Sequence, residues 1–274
     1  MPSGRTKKWL SEIYPKWLWA DPAEKRSLKN SPSRRESIVT LKNARPKTQP
    51  GTARVLVKRF RERGCYDRHT IYRILDAGIL CQIGFLFDGA PVVIPTLYWR
   101  TGAYLYFHGS NSSRMLKSIE GNEICFSTTQ LDGLVLTRSA FHHSANYRSV
   151  TVFGRPAQIR APKDKVIQLR HFMERLVPDR WDALRPIKQQ EIRATTILRL
   201  PIREYSGKVR KGAPMDDPKD LHWPVWAGVM PLRVEAGVPQ PDANTMTSRI
   251  EPPSPKALAH GTSHDTAAAS KEPR

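Results

Sequence analysis

Residues 79–108 read ILCQIGFLFDGAPVVIPTLYWRTGAYLYFH, and the period of this stretch decides the fold class. Residues 79–87 form an apolar run rich in β-branched and aromatic side chains, Asp88-Gly89 is a hairpin dipeptide, and residues 91–99 repeat the pattern. Thr101-Gly102 marks a further turn before residues 103–108. Three strands within 30 residues, joined by tight turns, predict an antiparallel meander. Upstream, Asp67 is placed to cap a short helix with Ile71, Ile74 and Leu75 on one face, ended by Gly78. Downstream, residues 110–119 predict a short helix capped by Asn111 or Ser112, and strand character returns at 123–131, 134–137 and 147–159. Pro162 opens a helix whose Val166, Leu169, Phe172, Met173 and Leu176 recur at helical spacing. A helix around residues 189–194 precedes 196–202, the last strand the pattern predicts. The fold class is therefore mainly β with α (α+β): a small antiparallel barrel with flanking helices.

Proline and charge set the limits of that domain. Of 23 prolines, six lie in residues 1–50 and six in 233–274. Residues 1–53 accordingly read as a disordered basic extension, 54–232 as one domain and 233–274 as a disordered tail. The chain's formal charge is +20, but +12 of it sits in the first 64 residues. Nucleic acid is thus expected as a partner only through the basic N-terminal arm, which also carries Trp9, Tyr14, Trp17 and Trp19. Cys65, Cys81 and Cys125 read as buried free thiols in a reducing compartment. Lys16 and Asp21 interrupt the only apolar patch near the N-terminus, and no run is long enough to span a bilayer, so a cytoplasmic protein without membrane contact is expected. A nucleophile elbow, a Walker loop and a dinucleotide fingerprint are all missing from the sequence.

The segment HGSNSSRMLKSI, residues 108–119, carries the strongest chemical signal. A strand running into a helix start offers free N–H groups to an anion. Gly109 allows close backbone approach, Ser110, Ser112 and Ser113 supply hydroxyls, and Arg114 a bidentate fork for phosphate oxygens. The prediction is a phosphate site; a serine-rich helix cap without a ligand is the plainer alternative. A second cluster, RSAFHHSANYRSV, gathers Arg138, His142, His143, Asn146, Tyr147 and Arg148 before a strand. Neighbouring histidines on a strand point apart, so no metal site is expected there. The cluster reads either as polar groups entering a cleft or as pairing groups at a domain edge.

Taken in order, RFRERGCYDRHTIYRILDAGILCQIGF, PVVIPTLYWRTGAYLYFHGSNSSRML, LDGLVLTRSAFHHSANYRSVTVFGRP and LHWPVWAGVMPL resemble the pyridoxamine 5'-phosphate oxidase-related flavin-binding split barrels, in particular the branch with the nitroimidazole-resistance proteins. The resemblance spans about residues 54–232 and implies a split β-barrel homodimer holding FMN, with haem or another flavin as the alternative cofactor. It implies that Val93, Ile94, Pro95 and Thr96 run beside the flavin ring, and that His108, Gly109, Ser110, Ser113 and Arg114 hold the ribityl phosphate. His108 is then the candidate catalytic residue, or it only positions the cofactor. Where the oxidases proper carry a basic pair after the serine, Arg114 here is followed by Met115, and Lys117 stands in from the next half-turn. Asn146, Tyr147, Arg148 and Trp226 fall on the second-subunit or substrate side. The implied function is an FMN-dependent oxidoreductase acting on a small substrate, or a non-catalytic flavin- or haem-binding module.

Overall fold

A computed structural model of the chain describes residues 50–243. The readings of the basic extension before residue 50 and of the tail beyond residue 243 lie outside the described residues. Helix α1 (Arg68–Ala77) begins as its sequence dictates: the Asp67 carboxylate accepts the Thr70 N–H at 2.8 Å, and Gly78 ends it. Among the described residues, strands β1 (Gly64–Cys65), β2 (Leu80–Phe87) and β3 (Ala90–Leu97) belong to one sheet, and β4 (Trp99–Thr101) and β5 (Tyr104–Ser110) to another. The β2–β3 turn has Asp88 at φ 49° and Gly89 at φ 78°, the paired left-handed geometry that matches strand twist.

The expected three-strand meander is therefore broken in two. At Tyr98 the chain leaves the first sheet for the second: this residue is fully buried, its N–H reaches the Ile79 carbonyl at 3.0 Å, and its hydroxyl donates to the Leu75 carbonyl at 2.6 Å. Anchoring at both ends turns the strand, so Trp99 pairs with Tyr106 rather than continuing β3.

Helix α2 (Arg114–Ile119) leads to β6 (Ile124–Leu136), one long strand where two were expected, bulged between Leu131 and Gly133. Then come β7 (Ser144–Gly154), β8 (Ala157–Gln158), α3 (Pro162–Leu176), α4 (Arg180–Ala183), α5 (Gln189–Ala194), β9 (Thr195–Pro201), β10 (Glu204–Arg210) and β11 (Gly228–Pro231). The first sheet runs β1-β10-β7-β6-β2-β3 with β11 on the far end of β6; the second runs β4-β5-β9-β8. At Gly133 an added Cβ would lie 2.8 Å from the Met230 carbonyl oxygen, so the lack of a side chain lets β11 dock.

The split barrel closes around a core of α1 and both sheets, with Leu105, Phe107, Phe126 and Val152 fully buried. A second cluster, Trp99, Tyr106, Ile159, Phe172 and Ile197, lies between the other face of the β4–β5–β9 sheet and α3. Both faces of β5 are consequently covered. Cys81 is in the core, where burial pushes its thiol up to about 12 and makes it a poor nucleophile. Among the described residues, no helix is long and apolar enough to cross a membrane.

Candidate functional site

The loop from β5 to α2 is built by its own serines. The Ser110 carbonyl accepts the Ser113 N–H at 2.9 Å, the Ser110 hydroxyl accepts the Ser112 N–H at 3.2 Å, and the two hydroxyls lie 2.8 Å apart. The Asn111 N–H donates to the Ala194 carbonyl at 2.9 Å, tying the loop to the end of α5. Ser113, rather than Asn111 or Ser112, is the cap of α2, its hydroxyl accepting the Leu116 N–H at 3.4 Å. A Cβ on Gly109 would stand 3.1 Å from Leu116 Cδ1, so glycine lets α2 lie close on β5. At six residues α2 contributes little dipole, and the positive charge of the loop resides in two side chains. Arg114 rests its guanidinium 4.7 Å over the Phe87 ring, and neither it nor the exposed Lys117 has an ion-pair partner among the described residues.

Phe87 is the last residue of β2, so Arg114 stands at the tip of the β2–β3 hairpin, and β3 begins beside it. The hydrogen bond from the Tyr98 N–H to the Ile79 carbonyl fixes the phase of this ladder. Ile94 and Thr96 face β2 with their backbone groups, whereas Pro91, Val93 and Pro95 face away. Two of those three outward residues have no N–H. Between Pro91 and Pro95, the free edge of β3 thus presents a row of carbonyls and a single amide donor, at Val93, whose side chain is 66% exposed. Val92 and Ile94 instead pack on the barrel core.

His108 lies at the same end of β5 but on the other face. Leu105 and Phe107 enter the barrel, and His108 turns under α3, with its ring 4.6 Å from Phe172 and 5.8 Å from Trp99. Its Nδ1 is buried without a partner, and burial lowers its pKa, so the neutral imidazole is favoured. The structure brings Gly109, Ser110, Ser113, Arg114 and Lys117 together on one loop and sets Val93–Thr96 beside it; the imidazole of His108 is not on the β3 side.

Asn146, Tyr147 and Arg148 occupy the start of β7, three strands from β3 in the sheet order, a span of about 14 Å. Asn146 donates to the Gly212 carbonyl at 3.1 Å and accepts from Arg210, and Arg148 grips Asp132 at 2.7 Å. These are pairing groups within the chain. Trp226 is 64% exposed. Sequence reading passed over a polar cavity beside Tyr106 and Arg199, for which no motif gave a signal.

The sequence profile of the pyridoxamine 5'-phosphate oxidase family matches residues 67–209, more than half of the chain. The chain belongs to that family. Two solved structures align with this pyridoxamine 5'-phosphate oxidase family member over most of their length. Flavocytochrome Anf3 from Azotobacter vinelandii is 40% identical, covering 74% of this chain and 95% of that chain, with a TM-score of 0.71. The FAD and haem binding protein from Mycobacterium smegmatis is 33% identical, covering 72% of this chain and 97% of that chain, with a TM-score of 0.68. A protein from Bacteroides thetaiotaomicron described by 5-nitroimidazole antibiotic resistance matches at 20% identity, over 53% of this chain and 86% of that one, with a TM-score of 0.46. No curated protein matches the chain. The family and the split barrel are those the sequence motifs indicated.

Proposed function

We propose that this chain is a flavin-binding oxidoreductase that acts on a small substrate as a homodimer. The ring of FMN, or of the FMN half of FAD, lies along the free edge of β3, with its phosphate at the loop between β5 and α2. One observation carries the reading: a lone amide donor among carbonyls at Val93 stands about 10 Å along the strand from the hairpin tip where Arg114 waits without a counter-ion. An imide edge presents one N–H between two carbonyls, so the Val93 amide donates to one of those carbonyls and a neighbouring strand carbonyl accepts the imide N–H. A phosphate needs unpaired cations, and a ribityl chain bridges that distance. The two relatives at 40% and 33% identity are described by a flavin, one as a flavocytochrome and one as FAD binding, which supports the same reading.

When bound, the flavin supplies the electron chemistry. The chain's own part is positional. Val93 orients the ring edge, Arg114 and Lys117 fix the phosphate, and a second subunit covers the exposed β2–β3 face and keeps water out. Asn146 and Arg148 are engaged in pairs within the chain, which leaves Tyr147 and the exposed Trp226 for the second-subunit or substrate side.

The test is optical. Purified protein is expected to be yellow, with absorption bands in the blue and near ultraviolet, and heat is expected to release FMN or FAD identifiable by chromatography. Replacing both Arg114 and Lys117 by alanine is expected to weaken flavin retention at least about tenfold while leaving the melting temperature nearly unchanged, because both side chains are exposed. A colourless protein that takes up neither flavin would end this reading.

A second reading, haem beside the flavin or in its place, has one observation in its favour. His108 keeps an unpartnered ring nitrogen, and both relatives are described by haem or as a cytochrome. Phe172 and Trp99 fill the space against that ring, so ligation by His108 requires α3 to shift. An intense Soret band separates the two readings.

A further inference from the structure

The face of the β4–β5–β9 sheet that lies under α3 carries a cavity of about 380 Å³. Tyr106, which lines it, stands four residues from Ser110 along β5, about 13 Å, so this is not the flavin loop. Tyr106 is 6% exposed and stacked on Trp99 with centroids 5.6 Å apart and planes at 15°. The stack holds its ring rigidly, yet its hydroxyl makes no hydrogen bond to any described residue. The hydroxyl is not among the fully buried polar atoms, so it opens into the cavity, where a ligand or water is its partner.

The same cavity is lined by Asp164 and Gln168 of α3 and by Arg199 of β9. The Trp99 indole N–H donates to Gln168 Oε1 at 3.2 Å, which aims the amide nitrogen elsewhere and leaves it free. Arg199 rests over the Tyr104 ring at 5.2 Å and has no carboxylate partner among the described residues. Asp164 has no cationic one. Arg160, also on the wall, is already held by Glu120 at 2.9 Å. One positive and one negative charge thus line one small cavity without pairing, beside a phenol that lacks a partner.

We propose that this cavity binds a small carboxylate carrying a hydroxyl or amino group on the adjacent carbon. The carboxylate lies on Arg199, the adjacent donor on Asp164, and the Tyr106 hydroxyl and Gln168 amide complete the set. A dianionic phosphate leaves Asp164 facing like charge, and a volume near the low end of the ~300–1,000 Å³ typical of ligand pockets suits a small ligand. The site is independent of the flavin reading.

Three three-carbon monocarboxylates test it, because propionate, lactate and alanine differ only in bearing hydrogen, hydroxyl or ammonium at the second carbon. Titration calorimetry on the full chain at physiological salt is expected to show lactate or alanine binding, with propionate at least about tenfold weaker. Which of the two binds identifies the source as a hydroxy acid or an amino acid. Tyr106→Phe, which keeps the stack on Trp99, is expected to lose affinity about three- to tenfold with an unchanged melting temperature. Arg199→Ala is expected to lose more than about tenfold. Equal binding of all three acids that survives Arg199→Ala would overturn the proposal, since it is the signature of general attraction to a basic chain. So would the lack of binding by any of them at millimolar concentration.

Discussion

An imidazole nitrogen buried without a partner makes His108 a pH-sensitive weak point of the fold. Burial lowers its pKa, so the folded protein holds the neutral ring while the unfolded chain binds a proton near pH 6.5. Below that pH the unfolded state carries more protons, and stability falls with falling pH until the folded pKa is reached. His171, on α3, is shifted the same way by burial and by Arg170 and accounts for part of the loss. Melting curves between pH 5 and 8 are expected to show a drop for the wild type that is visibly smaller in His108→Gln; parallel curves would rule His108 out as the cause. The sequence named this residue through the family's motif but gave no hint of where the ring points. Leu105 and Phe107 go one way and Tyr106 and His108 the other, yet both sets are apolar or aromatic because both faces of β5 are covered, so no alternation was there to be read. The loop serines are legible for the opposite reason: hydroxyls before a helix leave a local signal, and only the choice of Ser113 over its neighbours as cap needed coordinates.

Whole elements were legible wherever the signal was local. The bounds of α3 follow from Pro162 and from the apolar stripe before Pro178, and the β2–β3 hairpin follows from Asp88-Gly89. β10 escaped because its alternation is weak: Tyr205 and Val209 face the core, but a glycine stands between them where an apolar side chain would complete the pattern. Its Gly207 answers a distant neighbour: a Cβ there would meet Ile71 Cδ1 at 2.8 Å, so α1 dictates the residue. Lys165 is equally opaque in the sequence, a lysine beside the apolar stripe of α3. It is 8% exposed and donates to the Thr195 carbonyl at 2.6 Å and the Ile192 carbonyl at 3.3 Å, closing the end of α5 where β9 begins. Lys165→Met keeps the length of the stem but takes the ammonium donor from the Thr195 carbonyl, while the Ile192 carbonyl keeps the Thr195 N–H. It is expected to cost about 1–3 kcal/mol in urea unfolding, against less than about 0.5 kcal/mol for Lys117→Met on the surface. Equal costs for the two would show that the buried ammonium holds nothing.

At the scale of the whole molecule, the described residues expose an apolar face. Leu80 pairs with Leu97, and Leu86 and Val93 lie on the same outer side of the β2–β3 hairpin, with Leu86 70% and Val93 66% exposed. Trp223 and Trp226 add 62% and 64% exposed indoles. Exposed apolar side chains gathered on one strand face mark a contact. The prolines define its nature, because Pro91 and Pro95 remove donors from the free edge of β3 and prevent a second copy from extending the ladder. On the proposed reading, a homodimer meets through side chains and leaves the Val93 amide to the flavin, tying assembly to flavin uptake. Light scattering is expected to give twice the chain mass for the wild type. Val93→Glu is expected to yield a monomer that also loses flavin, whereas Val238→Glu, at an 89% exposed position in the segment after β11, changes neither. The charge of +20 opposes association, so the dimer fraction should rise with salt. Any binding of nucleic acid by the basic arm should fall over the same range. A flavin-loaded monomer at high protein concentration and high salt would break the link between the exposed face and the cofactor.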